Sequence, residues 1–465
     1  MRRAQWIEAL LVALLMTAGI AVRYRVNRDW VFGGADSYGY FKLADELRLH
    51  HRYALAPTPA PLHFSRLPGY PIFLALVQGD QKADPGWHRL AHAQAWIDVV
   101  VTGLLSWWLG RRLGGRAGGL VALGWMMLCP FTAIWPNAAL TEVPATACTT
   151  AVFALLVAER RPRLRFFAAG VIAGLGVLFR QDGLAVGAAF VPALLFLKAR
   201  WRDRMLLGAL ALVGLALAFG PWPARNLYRF GKPYATGTFV DRYSNPFFFY
   251  PGYHRWMATW SGDGATIPRY GFCFYDGLRC PQSVRDYPPE AFDGLAEMAA
   301  VDKLFDLRRR EGVSERVAAG FEKIAAERRA RSPLRSWLLL PLKSAVSVWL
   351  NPHDDILRDP RWRPWLWLFP ILEPTFVPMA IVLTLGFLAG GVLLLEERRT
   401  RAAAAILLIA IVARTLVLGW TFYIEPRYTV EVMPAAYALF GGGVAEVIRR
   451  TQKWRAHRRE HSTPG

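Results

Sequence analysis

Residues Trp6–Val22 read WIEALLVALLMTAGIAV, an apolar run interrupted only by Glu8. A soluble helix needs one apolar face, whereas this run is apolar around its whole circumference and approaches the roughly 20 residues that cross about 30 Å of hydrocarbon. The pattern recurs in GALALVGLALAFGPW, Gly208–Trp222, and in further blocks along most of the 465-residue chain. Recurrence separates a membrane protein from a soluble one with a single buried core helix. The expected spans are 6–22, 92–109, 119–135, 138–157, 166–179, 184–197, 205–222, 374–394, 402–419 and 429–448. The fold class that follows is an all-α integral membrane protein with about ten crossings, or eleven to twelve if 334–350 also crosses. Arg2 and Arg3 ahead of the first block imitate a signal peptide, but no small-residue cleavage site leads into a soluble chain, so a retained first helix is expected.

The composition agrees: 54% of residues are hydrophobic, Trp occurs 19 times, and the formal net charge is +21. In a soluble protein that charge would suggest nucleic acid. Here the basic residues lie between the apolar blocks, so no nucleic-acid partner is expected. With the N-terminus inside, the inner connections are RRLGGR (111–116), ERRPRLR (159–165), KARWRDR (198–204) and EERRTR (396–401), followed by the tail from Arg449. All are net basic, the positive-inside pattern. Both termini are expected in the cytoplasm of a multi-pass inner (plasma) membrane protein.

Two long segments then lie outside, from Arg23 to Ala91 and from Pro223 to Glu373. The chain divides into 1–222, a membrane module with the first outer loop; 223–373, an extracytoplasmic cap; and 374–465, the last helices and a basic tail. In the cap, 290–331 reads as a solvated helix pair, and 334–350 as an interfacial or partly inserted helix in competition with an extra pair of crossings. Cys129 and Cys148 fall inside spans and read as packing residues, whereas Cys273 and Cys280 suit a disulfide closing a short outer loop, with two free thiols as the alternative.

Polar residues at the outer helix ends carry the chemistry. Asp36, in GGADSYGYFKLADEL, either caps the helix that follows or serves as a carboxylate base at the membrane–water boundary. Arg66 precedes the rigid turn of Pro68, Gly69, Tyr70 and Pro71, where it can snorkel or hold a phosphate. Glu142, at the start of an apolar helix in WPNAALTEVPA, should face a polar cavity or find a partner. Arg180 and Asp182 share a boundary and can pair; Asp98 is either a site residue or a partner for a neighbouring helix. Arg225 lies in GPWPARNLYRFGKP, and Glu425, Arg427 and Tyr428 in WTFYIEPRYTVEVMP. An interfacial aromatic belt explains any one cluster. Arginines gathered at outer helix ends, against the positive-inside trend, imply an anionic ligand such as a lipid phosphate.

In order and placement, GADSYGY, SRLPGYPIFLAL, NAALTEVPA, LFRQDGL, PWPARNLYRFG and EPRY make the chain resemble the polytopic glycosyltransferases of the C superfamily (GT-C), the group related to protein mannosyltransferases and aminoarabinose transferases. The resemblance implies transfer of a sugar from a polyprenyl-phosphate donor to a lipid, glycan or protein acceptor at the outer face, with inversion, among membrane lipids. It places Asp36 as catalytic base and Arg66, Tyr70, Glu142, Arg180, Arg225, Arg427 and Tyr428 around the substrate. Where relatives have Lys-Pro-Pro, this chain has SRLPGYP. Some relatives use a divalent metal, for which Asp36, Glu142, His63 and His92 are the candidates here. The alternative from another class is a transporter or flippase of lipid-linked sugar, which commonly shows internal repeats; none is evident.

Overall fold

The computed structural model describes residues 2–26, 35–53, 66–78, 87–231, 233, 250–262, 270–271, 274, 283–351, 369–420 and 425–461. Among these the regular structure is entirely helical. Apolar chain in hydrocarbon must satisfy its backbone internally, and helices do so within one segment.

The membrane module opens with α1 (Arg2–Val26), followed by α2 (Ala35–His50) and α3 (Gly69–Val77). Next come α4 (His88–Trp96), a π-helical stretch Ile97–Thr102, and α5 (Gly103–Leu128). The module continues through α6 (Glu142–Val157), α7 (Pro162–Phe179), a 3₁₀ stretch Gln181–Ala189, α8 (Phe190–Leu195), α9 (Trp201–Phe219) and α10 (Pro221–Phe230). Later come α11 (Leu295–Glu311) and α12 (Glu315–Arg331), followed by α13 (Leu340–Leu350). The chain finishes with α14 (Phe369–Glu396), α15 (Arg401–Trp420) and α16 (Met433–His461).

Each expected span falls largely on helix, but among the described residues five helices are long and apolar enough to cross a membrane, or up to seven if two bent pairs each count as one span. The shortfall has local causes. At 16 residues, α6 is about 24 Å long, and the stretch before α8 is 3₁₀ rather than α. Within α5 the chain reverses. Gly115 has φ +63°, and a Cβ on Gly110 would sit 2.5 Å from the carbonyl oxygen of Gly118. In a straight helix those two residues would be about 12 Å apart. The segments before and after Gly114–Gly115 therefore run back to back. The hairpin also receives α16, where a Cβ on Gly441 would lie 2.4 Å from Gly118 O. Such approach between backbones is how apolar helices gain packing energy in lipid.

Basic connections gather at one end of the bundle. Glu8 meets Arg111 and, at 3.0 Å, Arg116; Arg112 meets Glu159. Arg449 reaches Glu397 at 2.7 Å, and Arg450 reaches Glu396 at 2.8 Å. Deeper in, Arg23 of α1 is fully buried and bonds Asp98 at 2.6 Å, with the Met126 and Met127 carbonyls taking its other N–H groups. Asp98 is thus the partner of a neighbouring helix.

A second, aromatic core is built by residues between Tyr253 and Ala325. Tyr253 stacks on Phe274 with centroids 3.8 Å apart and shares a 2.6 Å hydroxyl–hydroxyl bond with Tyr287. The pair α11–α12 is solvated on one side only, since Val301, Phe305, Val317 and Phe321 are buried in that core. The stretch from 335 inserts beside the last helices: Trp349 Nε1 donates to Thr415 Oγ1 at 2.9 Å, and Thr384 Oγ1 donates to Trp349 O at 3.3 Å. A Cβ on Gly419 would lie 2.5 Å from Pro341 O, so α13 runs from the C-terminal end of α15 towards the middle of α14. Cys129 and Cys148 are free thiols packed among helices. Cys273 and Cys280 lie outside the described residues.

Candidate active site

Polar ties between α2, α3, α4 and residues 136–139 set the position of Asp36. Ser37 Oγ donates to Ala139 O at 2.9 Å, fastening the first turn of α2 over the segment that leads into α6. Gln94 of α4 is buried; its amide donates to Pro136 O at 2.9 Å and Ala138 O at 2.8 Å and accepts from the Tyr70 hydroxyl at 3.1 Å. The start of α2, the start of α3 and the N-terminus of α6 are thereby held together. The carboxylates of Asp36 and Glu142 both sit at helix N-termini, where the helix dipole favours negative charge.

Guanidiniums link these carboxylates into one chain. Arg66 Nη2 donates to Asp36 Oδ1 at 2.6 Å, and Arg427 Nη2 lies 3.6 Å from Asp36 Oδ2. Arg427 also stands 3.8 Å from Glu142 Oε1 and bonds Glu425. Glu142 Oε1 accepts from Arg180 Nη1 at 3.0 Å, and Arg180 continues to Asp182 at 3.2 Å and Glu431 at 2.7 Å. Arg414 of α15 closes the chain, 2.9 Å from Asp182 and 2.8 Å from Glu431. The Tyr428 ring packs against both Arg180 and Arg427, at 4.8 and 5.5 Å from its centroid.

Exposure is greatest at one end of this chain. The side chains of Asp36 and Arg66 are 38% and 35% exposed, while Glu142 and Arg414 are at 2% and 1%. The outer pair can meet a ligand; the inner groups are interior ones. Burial alone would push the Asp36 carboxyl up, but Arg66, Arg427 and Arg180 outweigh it and hold the group below the usual carboxylate range. Asp36 is therefore ionised at neutral pH.

Of the residues singled out from sequence, Asp36, Arg66, Glu142, Arg180, Arg427 and Tyr428 meet in this network. Tyr70 is fully buried one layer behind, its hydroxyl engaged by Gln94 and its ring against Tyr40, over which Arg66 lies at 5.1 Å. Arg225 sits against Trp222 and donates to Tyr53 O at 3.2 Å; the Tyr53 hydroxyl in turn donates to Arg66 O at 2.9 Å. Arg225 thus reaches the network through the backbone of Arg66. Sequence reasoning missed Arg414 and Glu431. Arg414 had a signal, being a lone charge inside RAAAAILLIAIVARTLVLGW.

A divalent cation fits poorly. Among the described residues no three His, Cys, Asp or Glu side chains converge on one point. Asp36 and Glu142 have the Arg427 guanidinium between them, and His92 is stacked on Tyr24 with centroids 4.6 Å apart. His63 lies outside the described residues. A cation bound by these two carboxylates would have to displace a guanidinium already neutralising both.

No family model and no curated protein matches the sequence. Among solved structures, the chain is similar to the archaeal oligosaccharyltransferase AglB from Archaeoglobus fulgidus in complex with an inhibitory peptide and a dolichol-phosphate, with a TM-score of 0.52 at 14% identity, covering 99% of this chain and 53% of that one. The Archaeoglobus fulgidus oligosaccharyltransferase in complex with Zn and sulfate gives a TM-score of 0.51 at 15% identity, covering 94% of this chain and 51% of that one. ArnT from Cupriavidus metallidurans bound to undecaprenyl phosphate aligns over 96% of this chain and 78% of that one at 16% identity, with a TM-score of 0.40. The chain spans about half the length of the archaeal enzymes it matches. The likeness is one of fold: a multi-pass helical membrane architecture like that of the Archaeoglobus fulgidus oligosaccharyltransferase.

Proposed function

We propose that this protein transfers a sugar from a polyprenyl-phosphate donor to a lipid, glycan or protein acceptor at the outer face of the inner (plasma) membrane, with inversion at the anomeric carbon. The observation that carries this reading is the pairing, at the exposed end of the network, of an ionised carboxylate with two guanidiniums. Asp36 accepts the proton of the acceptor hydroxyl or amine, whose lone pair forms the new bond to the anomeric carbon. The bond from that carbon to the phosphate oxygen breaks, and its electron pair leaves with the phosphate. Arg66 and Arg427 hold that phosphate and balance the charge growing on it. The GT-C-type fold supports the reading, as does dolichol-phosphate in the AglB complex. Glu142, Arg180, Asp182, Arg414 and Glu431 position Arg427 from below, and Tyr70 and Arg225 position the loop that carries Arg66. No step is assigned to a metal.

The test is a reconstituted assay with labelled polyprenyl-phosphate sugars and lipid, glycan and peptide acceptors. Wild-type protein should transfer label, and Asp36→Asn should cut turnover on the order of 10²–10⁴-fold with the fold intact. Net movement of donor across the bilayer without transfer would identify a flippase and overturn the proposal. So would full-rate transfer by a folded Asp36→Asn protein.

A further inference from the structure

The groups proposed to hold the phosphate are engaged by the group proposed to take the proton. Arg66 bonds one oxygen of Asp36 at 2.6 Å, and Arg427 lies 3.6 Å from the other. A carboxylate that accepts a charge-assisted hydrogen bond on one oxygen and has a guanidinium beside the second is a weak base, because both interactions favour the ionised form. From this geometry we infer that donor phosphate and Asp36 compete for Arg66 and Arg427, so that binding the donor is what releases Asp36 to act as a base. The inference rests on the proposed function and adds to it an order of events: donor first, then deprotonation of the acceptor.

The balance of charge and contact supports competition over simple addition. Asp36 is the carboxylate that touches both guanidiniums, Arg427 being shared with Glu425 and Glu142, so an anion arriving at this half-exposed rim reaches Arg66 and Arg427 together only by displacing it. Arg427 is the looser partner. Its distance to Asp36 exceeds hydrogen-bond range, and it is held from the side by Glu425 at 3.2 Å through Nη2. A phosphate offers several acceptor oxygens in the geometry a guanidinium prefers and can outbid a carboxylate with one contact to each arginine. The Arg66 guanidinium stays over the Tyr40 ring and its main chain stays bonded to Tyr53, so only its donor groups need turn. Once the phosphate holds both arginines, Asp36 loses its two stabilising partners and gains a neighbouring negative charge. Both changes raise its affinity for a proton. A site empty of donor then has no strong base at the membrane surface to activate water or a wrong acceptor.

Competition has a signature that a cooperative site lacks. Removing the Asp36 charge while keeping its shape should strengthen binding of the lipid phosphate. With undecaprenyl phosphate as probe and full-length protein in nanodiscs, Asp36→Asn should bind about 5–150-fold more tightly than wild type, the usual span of coupling between two sites. The gain should vanish in a background carrying Arg66→Gln and Arg427→Gln, because there is then nothing to compete for. Asp36→Ala provides the same measurement if the Asn variant fails to fold. Equal or weaker binding by both Asp36 variants, with Arg66→Gln and Arg427→Gln still weakening it, would overturn the competition and leave the phosphate assignment standing. Binding unchanged by any of these substitutions would place the phosphate elsewhere and overturn both.

Discussion

Arg414 Nη2 donates to Asp182 Oδ2 at 2.9 Å, a bond that joins residues 232 positions apart in the chain. The same nitrogen reaches Glu431 at 2.8 Å, and the neighbouring Nε donates to Tyr428 O at 2.9 Å. One side chain from the interior of α15 thus ties the end of α7 to the segment that carries Arg427. The carboxylates of this network have few donors to spare: Glu142 Oε2 and Glu431 Oε2 are buried without a hydrogen-bond partner among the described residues.

Arg414→Met should therefore cost much more than its loss of packing. Removing one member of a buried ion group leaves the others uncompensated, at about 3–5 kcal/mol. The expected outcome is a large drop in the thermal midpoint of the purified protein and poor recovery from membranes. Arg414→Lys keeps the charge but loses the fork that reaches Asp182, Glu431 and Tyr428 together, so it should fall between the two. A midpoint for Arg414→Met equal to wild type would refute the structural role.

The two arginines that sequence reasoning treated alike should behave differently. Arg427→Gln removes a guanidinium lying between Asp36 and Glu142 and should weaken donor binding and slow transfer together. Arg225→Gln removes bonds to Tyr53 O and Asn226 Oδ1 and the contacts with the Trp222 and Tyr53 rings, and should cost less than tenfold in kcat/KM, about 1.4 kcal/mol. Steady-state kinetics on the two variants compares them directly. A larger loss for Arg225→Gln would relocate the phosphate towards α10.

Asp36 sets the acid limit of the free protein. Its folded-state pKa is depressed, so its ion pairs contribute stability above the unfolded value of about 3.9, and that contribution is lost as pH falls through the lower folded pKa. A base with a depressed pKa also remains ionised throughout that range. Since kcat/KM reports the free enzyme, it should show no carboxylate inflection between about pH 7 and pH 5. An acid limb in that interval, abolished by Asp36→Asn in a residual-rate measurement, would contradict the assignment.

The end of the bundle at which Glu8 meets Arg116 and Arg450 meets Glu396 should face the cytoplasm. Cysteines introduced at Arg112 and at Arg285 should then react with impermeant reagents from opposite sides of the membrane. Labelling of both from one side would reverse or break the topology.

The apolar runs and the basic connections were sufficient by themselves to establish a helical membrane protein and to order its segments, because lipid rewards long apolar helices wherever they sit in the chain. Asp36, Arg66, Glu142, Arg180 and Arg427 were also visible singly, as charges at outer helix ends where lipid penalises them. Their connection was not. Which oxygen meets which guanidinium depends on Ser37 and Gln94 fastening loops to 136–139, and on a hairpin at Gly114–Gly115 that lets α16 approach. Asp98 shows the same division. Its charge inside a span demanded a partner, but only packing decided that the partner is Arg23, 75 residues earlier, rather than a ligand. Arg414 and Glu431 went unnoticed because a charge embedded in an apolar helix acquires its meaning from what lies opposite. Local sequence specifies the helix and the cost of the charge; the tertiary fold alone brings together the distant groups that offset it.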